Sequence, residues 1–164
     1  MTLPIPDSYR VADRFLAGAY PGSEDVHEAA RRLSGFVEHG VTLYVDLTHP
    51  ADSLAPYAPL VGPNARRSAH AIVDLGVTTI PHMSRILDEV DEALATGGTV
   101  YVHCWGGIGR TGTVVGCWLR RHGLDRGDVL ARIAELRREA SDAVVASPQT
   151  SAQRAMVEAW TRGR

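Results

Sequence analysis

Residues 99–122 read TVYVHCWGGIGRTGTVVGCWLRRH, and three local patterns follow one another in this stretch. The segment Thr99–His103 is apolar and β-branched, which predicts a buried strand. Closely spaced glycines come next and predict a tight turn. A helix is then expected from about Arg110 to His122. A strand that passes through a glycine-rich turn into a helix is a building unit of α/β proteins, so this stretch indicates the fold class.

The rest of the chain alternates in the same way. Strand-like segments are expected at Arg10–Gly18 and Val41–Leu47, with a short, weaker one at Ala69–Val73. The other helices are expected at about Glu24–His39 with Ser23 as its cap, Pro81–Ala95, Arg126–Ser141, and Pro148–Thr161 with Ser147 as its cap. Residues 49–67 look like a long loop, and loops of that length are usually functional or mobile. We therefore predict a single α/β domain over residues 1–164, with a central, mostly parallel sheet flanked by helices.

The composition argues against several classes of protein. The chain has 164 residues and a net charge of −2, so we expect neither a nucleic-acid partner nor a membrane partner. Its two cysteines, Cys104 and Cys117, form no CxxC pair, which does not suggest a disulfide framework. All 17 basic residues are arginine, which excludes lysine Schiff-base chemistry and the Walker lysine. The seven histidines lack the spacing of metal ligands, so no metal is predicted. The expected location of the protein is the cytoplasm.

The turn in this stretch has the composition of an anion-binding loop. Residues 103–112 read HCWGGIGRTG, with Gly106, Gly107 and Gly109 between the strand and the helix. Glycines at such a junction let successive backbone N–H groups point inward, and the helix N-terminus closes the nest around a tetrahedral anion. Cys104 opens the loop, so its sulfur should lie at the base of the nest. There the same N–H groups would favour the nucleophilic thiolate.

The residues around the turn supply the remaining groups of a phosphate site. Arg110 closes the loop, and its planar fork can grip two phosphate oxygens. We expect the loop residues Trp105, Gly106, Gly107, Ile108, Gly109 and Arg110 to bind the substrate's phosphate. Thr111 offers a hydroxyl near the sulfur, suited to assisting breakdown of a covalent intermediate. Trp105 either lines the rim, where it meets an aromatic substrate, or packs against a neighbouring loop.

This decapeptide resembles the signature of the cysteine-dependent protein tyrosine phosphatases, His-Cys-x5-Arg-Ser/Thr-Gly. The glycine pattern is most similar to the small dual-specificity phosphatases, including the kinase-associated phosphatase and its bacterial relatives. The resemblance runs from about residue 14 to 158, although only the signature loop is specific. It implies a tyrosine phosphatase-like fold, a phosphocysteine intermediate and no metal or organic cofactor.

The resemblance also implies roles for residues outside the loop. It places the general acid some thirty residues before the nucleophile, where Asp74 stands; the alternative is a turn aspartate that caps the next segment. Ile72 and Val73 replace the Trp-Pro of the tyrosine-specific enzymes, which favours a more fixed acid loop. Gln149 resembles the first glutamine of the family's Gln-Thr-x-x-Gln segment, which orients the hydrolytic water; the alternative is a solvated residue of a helix start. His103 would order the loop by hydrogen bonding.

Three functions remain open at this point. The first is hydrolysis of phosphate monoesters on protein side chains, of phosphotyrosine and also of phosphoserine or phosphothreonine. The second is the same chemistry on a phosphoinositide, an inositol phosphate or an RNA 5′-triphosphate, disfavoured because the loop and the whole chain lack lysine. The third is a module that binds phosphorylated partners without hydrolysis, which the presence of Cys104, Arg110 and Asp74 argues against. A loop pair, Arg66 and Arg67, could help to bind a phosphopeptide or could simply be solvated.

Overall fold

A computed structural model describes residues 2–164 of the chain. One sheet of five strands forms its centre, in the order β1-β2-β5-β3-β4. The strands are β1 Ser8–Ala12, β2 Phe15–Gly18, β3 Val41–Asp46, β4 Arg66–Ala69 and β5 Thr99–His103. The helices are α1 Val26–Glu38, α2 Ile80–Ala95, α3 Arg110–Arg121, α4 Val129–Leu136 and α5 Ser151–Ala159.

The sheet is mixed, with four neighbouring parallel strands and one antiparallel edge strand. β5 lies between β2 and β3 and is parallel to both, and β4 continues the parallel order beyond β3. Only β1, which pairs with β2, runs antiparallel. The predicted α/β class, with a mostly parallel sheet flanked by helices, is therefore confirmed. Because parallel strands end at the same edge, the segments after β2, β3, β4 and β5 all meet there.

The core lies on both faces of the sheet, and β5 shows why its sequence is apolar throughout. Val100 and Val102 point into the larger cluster, which contains the buried side chains of α2 to α5. Tyr101 points to the opposite face, where Phe36 of α1 and Tyr44 of β3 surround it. All five residues of β5 are buried, as expected for a central parallel strand covered on both faces.

Several boundaries differ from the sequence-based expectations, and local hydrogen bonds explain most of them. The segment 10–18 is not one strand, because the chain turns back between β1 and β2 to form a hairpin. The cap of α1 is Asp25, whose carboxylate accepts from the N–H groups of His27 and Glu28. The expected cap, Ser23, instead accepts from the N–H of Asp25 just before the helix. β4 covers Arg66–Ala69 instead of the expected Ala69–Val73, because its pairing with β3 begins at Arg66 and stops where Ala69 meets Asp46, the last residue of β3.

The two C-terminal helices are shorter than predicted. The fourth helix covers only Val129–Leu136 of the expected 126–141. The fifth begins at Ser151 and is capped by Thr150, which shares a reciprocal capping box with Gln153. Ser147 was the expected cap, but its hydroxyl donates instead to the carbonyl of Ile108 at 2.7 Å. Within residues 2–164, no helix is both long and apolar enough to cross a membrane.

Candidate active site

The cysteine loop, residues 104–109, leaves the carboxyl end of β5 and enters α3 at Arg110. No side chain caps the N-terminus of α3, where Gly109 stands at the cap position. The first N–H groups of that helix are therefore available to an anion, and the helix dipole favours negative charge at the same place.

Cys104 lies at the base of this loop. It is 3% exposed, and the N–H of Gly107 points at its sulfur with 3.3 Å between nitrogen and Sγ. Gly107 has a φ of +76°. A Cβ there would lie 2.4 Å from the carbonyl carbon of Gly18, so the loop packs directly on the end of β2. This close approach is the reason that a glycine is needed at this position.

Arg110 is buried, and its guanidinium is held on one side. Nη1 donates to the Asp52 carboxylate at 2.7 Å and to the Ile72 carbonyl at 2.9 Å. Nε and Nη2 are buried as well, but neither makes a hydrogen bond to the protein. Nη2 lies 3.1 Å from Oδ1 of Asp74, within ion-pair distance but without hydrogen-bond alignment. Two donors on one edge of the fork thus remain for an anion.

Sequence reasoning missed Asp52. It lies in the loop after β3, in a single 3-10 turn that His49 caps, and its carboxylate also accepts from the N–H of His49 at 3.0 Å. The Asp52 side chain is only 5% exposed. Its local signal was a capping pattern, in which Asp52 follows His49 by three residues; nothing local indicated that the carboxylate would meet Arg110.

Asp74 lies on the segment between β4 and α2, which we call the Asp74 loop (residues 70–79). Its Oδ1 accepts from the N–H of Leu75 at 3.0 Å and faces Arg110. The side chain is half exposed, unlike that of Arg110. The structure therefore brings Cys104, Arg110 and Asp74 together, but Asp74 stands within a loop rather than at the end of a strand.

His103 is completely buried beneath the cysteine loop. Its Nδ1 lies 3.2 Å from the carbonyl of Cys104, which can only accept, so Nδ1 carries the proton and Nε2 accepts from the Tyr57 hydroxyl at 2.7 Å. Burial lowers the pKa of His103 to about 4, although the nearby Asp46 acts in the opposite direction. His103 is thus a neutral hydrogen-bonding support at neutral pH.

The other predicted site residues differ in their exposure and in their contacts with the cysteine loop. Trp105 is 54% exposed at the rim, and a Cβ on the neighbouring Gly106 would contact only the Ile108 side chain. The Thr111 hydroxyl donates to the Gly18 carbonyl at 3.3 Å, where α3 packs against the end of β2, and its expected place near the sulfur stays a prediction. Gln149 is exposed, and its Oε1 lies against Gly109, within 3.3 Å of where a Cβ would be.

Gln153 is a second residue that sequence reasoning did not assign. It is fully buried; its Oε1 accepts from the N–H groups of Gln149 and Thr150, and its Nε2 donates to the Gly76 carbonyl at 3.1 Å. It also lies against Gly109 of the cysteine loop. One side chain thus contacts the start of α5, the Asp74 loop and the cysteine loop. Its local signals were the capping box at 150–153 and its place as the second glutamine of the Gln-Thr-x-x-Gln segment, to which no role was assigned.

The geometry of this sheet edge matches the arrangement of cysteine-dependent phosphatases, and comparison with known proteins makes the class more specific. Residues 21–160 match the family model described as "Swiss Army Knife protein, DSP-PTPase phosphatase domain". That match covers most of the chain, so the chain belongs to this family of dual-specificity-type phosphatase domains. The resemblance stated from the signature loop is confirmed.

Individual relatives agree with this assignment. The mouse dual specificity protein phosphatase CDC14B is 28% identical over 122 residues, which are 68% of this chain and 23% of the mouse protein. The chain spans less than half the length of the curated relatives it matches. A structure of Tk-PTP in the active form superposes with a TM-score of 0.74 at 22% identity, over 93% of this chain and 95% of the other. A structure of kinase associated phosphatase, with its catalytic cysteine replaced by serine, superposes with a TM-score of 0.74 at 17% identity, over 87% of this chain and 83% of the other.

Proposed function

We propose that the chain hydrolyses phosphate monoesters on protein side chains through a phosphocysteine intermediate. One observation carries this proposal: the buried guanidinium of Arg110 is held on one side by Asp52 and Ile72, while its Nε and Nη2 make no hydrogen bond to the protein. A buried cation with two parallel donors that lack hydrogen bonds to the protein, beside a cysteine whose sulfur faces a loop N–H, is suited to a tetrahedral dianion. A structural arginine would have those donors paired.

In the first step, the Cys104 thiolate attacks phosphorus in line with the departing oxygen. The S–P bond forms while the P–O bond breaks, and the Asp74 carboxyl gives its proton to the leaving oxygen. Arg110 and the loop N–H groups stabilise the charge on the equatorial phosphate oxygens. The proximity of Asp74 to Nη2 of Arg110 supports this role, because an acid there would stand beside the transferred group.

In the second step, water attacks phosphorus and displaces the Cys104 thiolate. Asp74, now ionised, takes the proton of that water, and inorganic phosphate leaves. Gln149 is the proposed positioning group for the water, because its amide lies against Gly109. The hydroxyl of Thr111 donates to Gly18 and is not assigned to this step.

The surroundings of the site favour a protein side chain as the substrate, with phosphotyrosine first and phosphoserine or phosphothreonine as further substrates. A cavity of about 300 Å³ is lined by Pro50 and Ser53, which flank Asp52. Most of the residues that line it are apolar or aromatic, and Arg67 is its one arginine. Arg67 is already paired with the buried Asp46 at 2.7 Å. Arg66 is paired with Glu89. The exposed Trp105 at the rim can contact an aromatic substrate.

A phosphoinositide is the second candidate substrate. The structure of PTPMT1 in complex with PI(5)P superposes with a TM-score of 0.70 at 20% identity. Recognition of several phosphates usually needs several free cations around one pocket. The pairing of Arg66 and Arg67 with carboxylates makes this substrate less suited to the site.

The first test is hydrolysis of p-nitrophenyl phosphate in excess chelator by the intact chain, Cys104→Ser and Asp74→Asn. We expect the intact chain to turn over p-nitrophenyl phosphate and Cys104→Ser to show no turnover. With phenyl phosphate as a second substrate, kcat/KM should be at least about 100-fold lower for Asp74→Asn than for the intact chain. If the intact chain binds vanadate but shows no turnover, the protein is a phosphate-binding module and not an enzyme. A panel of phosphopeptides and PI(5)P then compares the two substrate classes. Because a thiol nucleophile has to stay reduced, we also propose a cytoplasmic location.

A further inference from the structure

The Asp74 loop has little of its own to hold it in place. Its residues Val73, Leu75 and Val77 are all more than 40% exposed, and Ile72 is its one buried hydrophobic side chain. Leu75 also has a φ of +62°, a conformation that costs a non-glycine residue free energy. Contacts outside the loop must therefore hold the carboxyl of Asp74 beside Arg110.

Four side chains join the two ends of this loop. We call them the histidine clasp: His70 at the start of the loop, Thr78 near its end, and His82 and Glu89 on α2. The Thr78 hydroxyl lies 2.6 Å from Nδ1 of His82. Nε2 of His82 lies 3.2 Å from Nδ1 of His70, and Nε2 of His70 lies 2.7 Å from a carboxylate oxygen of Glu89. The four groups form one unbroken chain across the base of the loop.

The chemistry of the four groups determines which atom donates and which accepts in each hydrogen bond of the clasp. The Glu89 carboxylate can only accept, so His70 donates from Nε2 and accepts at Nδ1 when it is neutral. His82 then donates from Nε2 and accepts at Nδ1 from Thr78. Burial alone would raise the pKa of Glu89, but hydrogen bonds from His70, Arg66 and Ser68 outweigh it and lower that pKa. Glu89 is therefore a carboxylate at the end of the clasp, and each ring nitrogen of His70 and His82 has a hydrogen-bond partner.

We propose that the histidine clasp is the positioning device for the general acid, in which His70 and His82 close the Asp74 loop and hold Asp74 against Arg110. This inference rests on the proposed function, since it assigns a purpose to Asp74. The clasp side chains make no hydrogen bond or ion pair to Cys104 or the cysteine loop, so their loss should change the placement of the acid and leave the phosphate cradle intact.

The test uses the different dependence of two substrates on the general acid. Phenyl phosphate releases a strongly basic phenolate and needs a proton at once, whereas p-nitrophenyl phosphate releases a weakly basic one and needs it much less. The variant is His82→Leu, which removes two links of the clasp and keeps a similar volume. The control is Glu92→Ala, an exposed position further along α2 whose side chain takes no part in the clasp. The readout is kcat/KM, which reports the steps up to transfer of the phosphoryl group to Cys104.

We expect His82→Leu to lower kcat/KM about 10-fold or more for phenyl phosphate and less than about 3-fold for p-nitrophenyl phosphate. Glu92→Ala should change neither. Equal losses on both substrates, or no loss on either, would overturn the proposal. A wild-type chain that hydrolyses neither substrate would instead refute the proposed function, so the two failures are distinguishable.

A second variant and a double mutant protect the test against misfolding. Thr78→Val removes one link at nearly constant shape and should show the same selective loss, to a smaller extent. In an Asp74→Asn background, His82→Leu should cost nothing further on phenyl phosphate, because the group that it positions is no longer an acid. Additive losses in that cycle would show that the clasp acts on something other than Asp74.

Discussion

Gly107 illustrates how much a single residue position in the cysteine loop demands. Its neighbour Gly106 has only the Ile108 side chain within reach of an added Cβ, at 3.7 Å. At Gly107 the same atom would lie 2.4 Å from the backbone of Gly18 and 2.6 Å from that of Ala19. Backbone atoms cannot rotate away, and the positive φ adds strain, so the N–H that faces the Cys104 sulfur depends on this glycine.

The first prediction at this scale concerns Gly107→Ala. Alanine should push the loop off the end of β2, lower kcat/KM for p-nitrophenyl phosphate about 100-fold or more, and destabilise the fold by about 1–3 kcal/mol. Steady-state kinetics and urea unfolding measure the two effects. Gly127→Ala is the matched control, because a Cβ there meets nothing within 4 Å. A Gly107→Ala variant that behaves like Gly127→Ala would contradict the close approach.

At the scale of elements, the site depends on how α5 joins two loops. Gln153 stands in the first turn of α5 and accepts from the two N–H groups that precede the helix. Its amide donates to Gly76 of the Asp74 loop. The same loop accepts a hydrogen bond from the Thr150 hydroxyl at Leu75. The N-terminus of α5 and the histidine clasp thus hold the Asp74 loop from different elements.

We predict that Gln153→Leu destabilises the chain by about 1–3 kcal/mol, because it leaves two N–H groups and one carbonyl, all part-buried, without their partner. Urea unfolding with an unchanged slope measures this loss. Ser151→Ala, an exposed change in the same helical turn, should stay within about 0.5 kcal/mol. If both variants have the same midpoint, the contacts of Gln153 contribute nothing net.

At the scale of the whole molecule, stability depends on pH through buried histidine. The His103 ring is fully buried and neutral, and burial lowers its pKa from the ordinary value of 6.5 to about 4. Between those two values the unfolded chain binds a proton that the folded chain does not, so the free energy of unfolding falls as the pH falls. Burial, with His70 and Arg85 nearby, lowers the pKa of His82 and adds to the effect in the same direction.

The expected loss from His103 is up to about 3 kcal/mol between pH 6.5 and pH 4, with little change above pH 6.5. Urea midpoints measured in half-unit steps of pH would show it. In His103→Gln the slope over this window should shrink to the part that His82 supplies, with a contribution near pH 4 from carboxylates of lowered pKa such as Glu28 and Glu89. If the variant and the wild type lose stability equally over this pH range, the proton taken up on unfolding binds to a group other than His103.

The sequence by itself determined the parts of the molecule that are local in the chain. The strand Thr99–His103, the glycine turn and the helix from Arg110 are contiguous, so propensity and spacing were enough to predict the fold class and to place Cys104 beside the anion cradle. Asp74 was found through family resemblance rather than local pattern. The ends of the shorter helices were misplaced, because caps such as Asp25 and Thr150 compete with equally good neighbours.

Only the tertiary structure decided which distant side chains meet. Asp52 holds Arg110 across 58 residues of chain, and Gln153 reaches Gly76 across 77. His70 and His82 close the Asp74 loop only because β4 and α2 bring them together. The physical reason is that parallel strands all end at one edge of the sheet, so that loops far apart in sequence share one site. Which of their polar groups pair there depends on packing, and packing is not encoded in any short stretch of the chain.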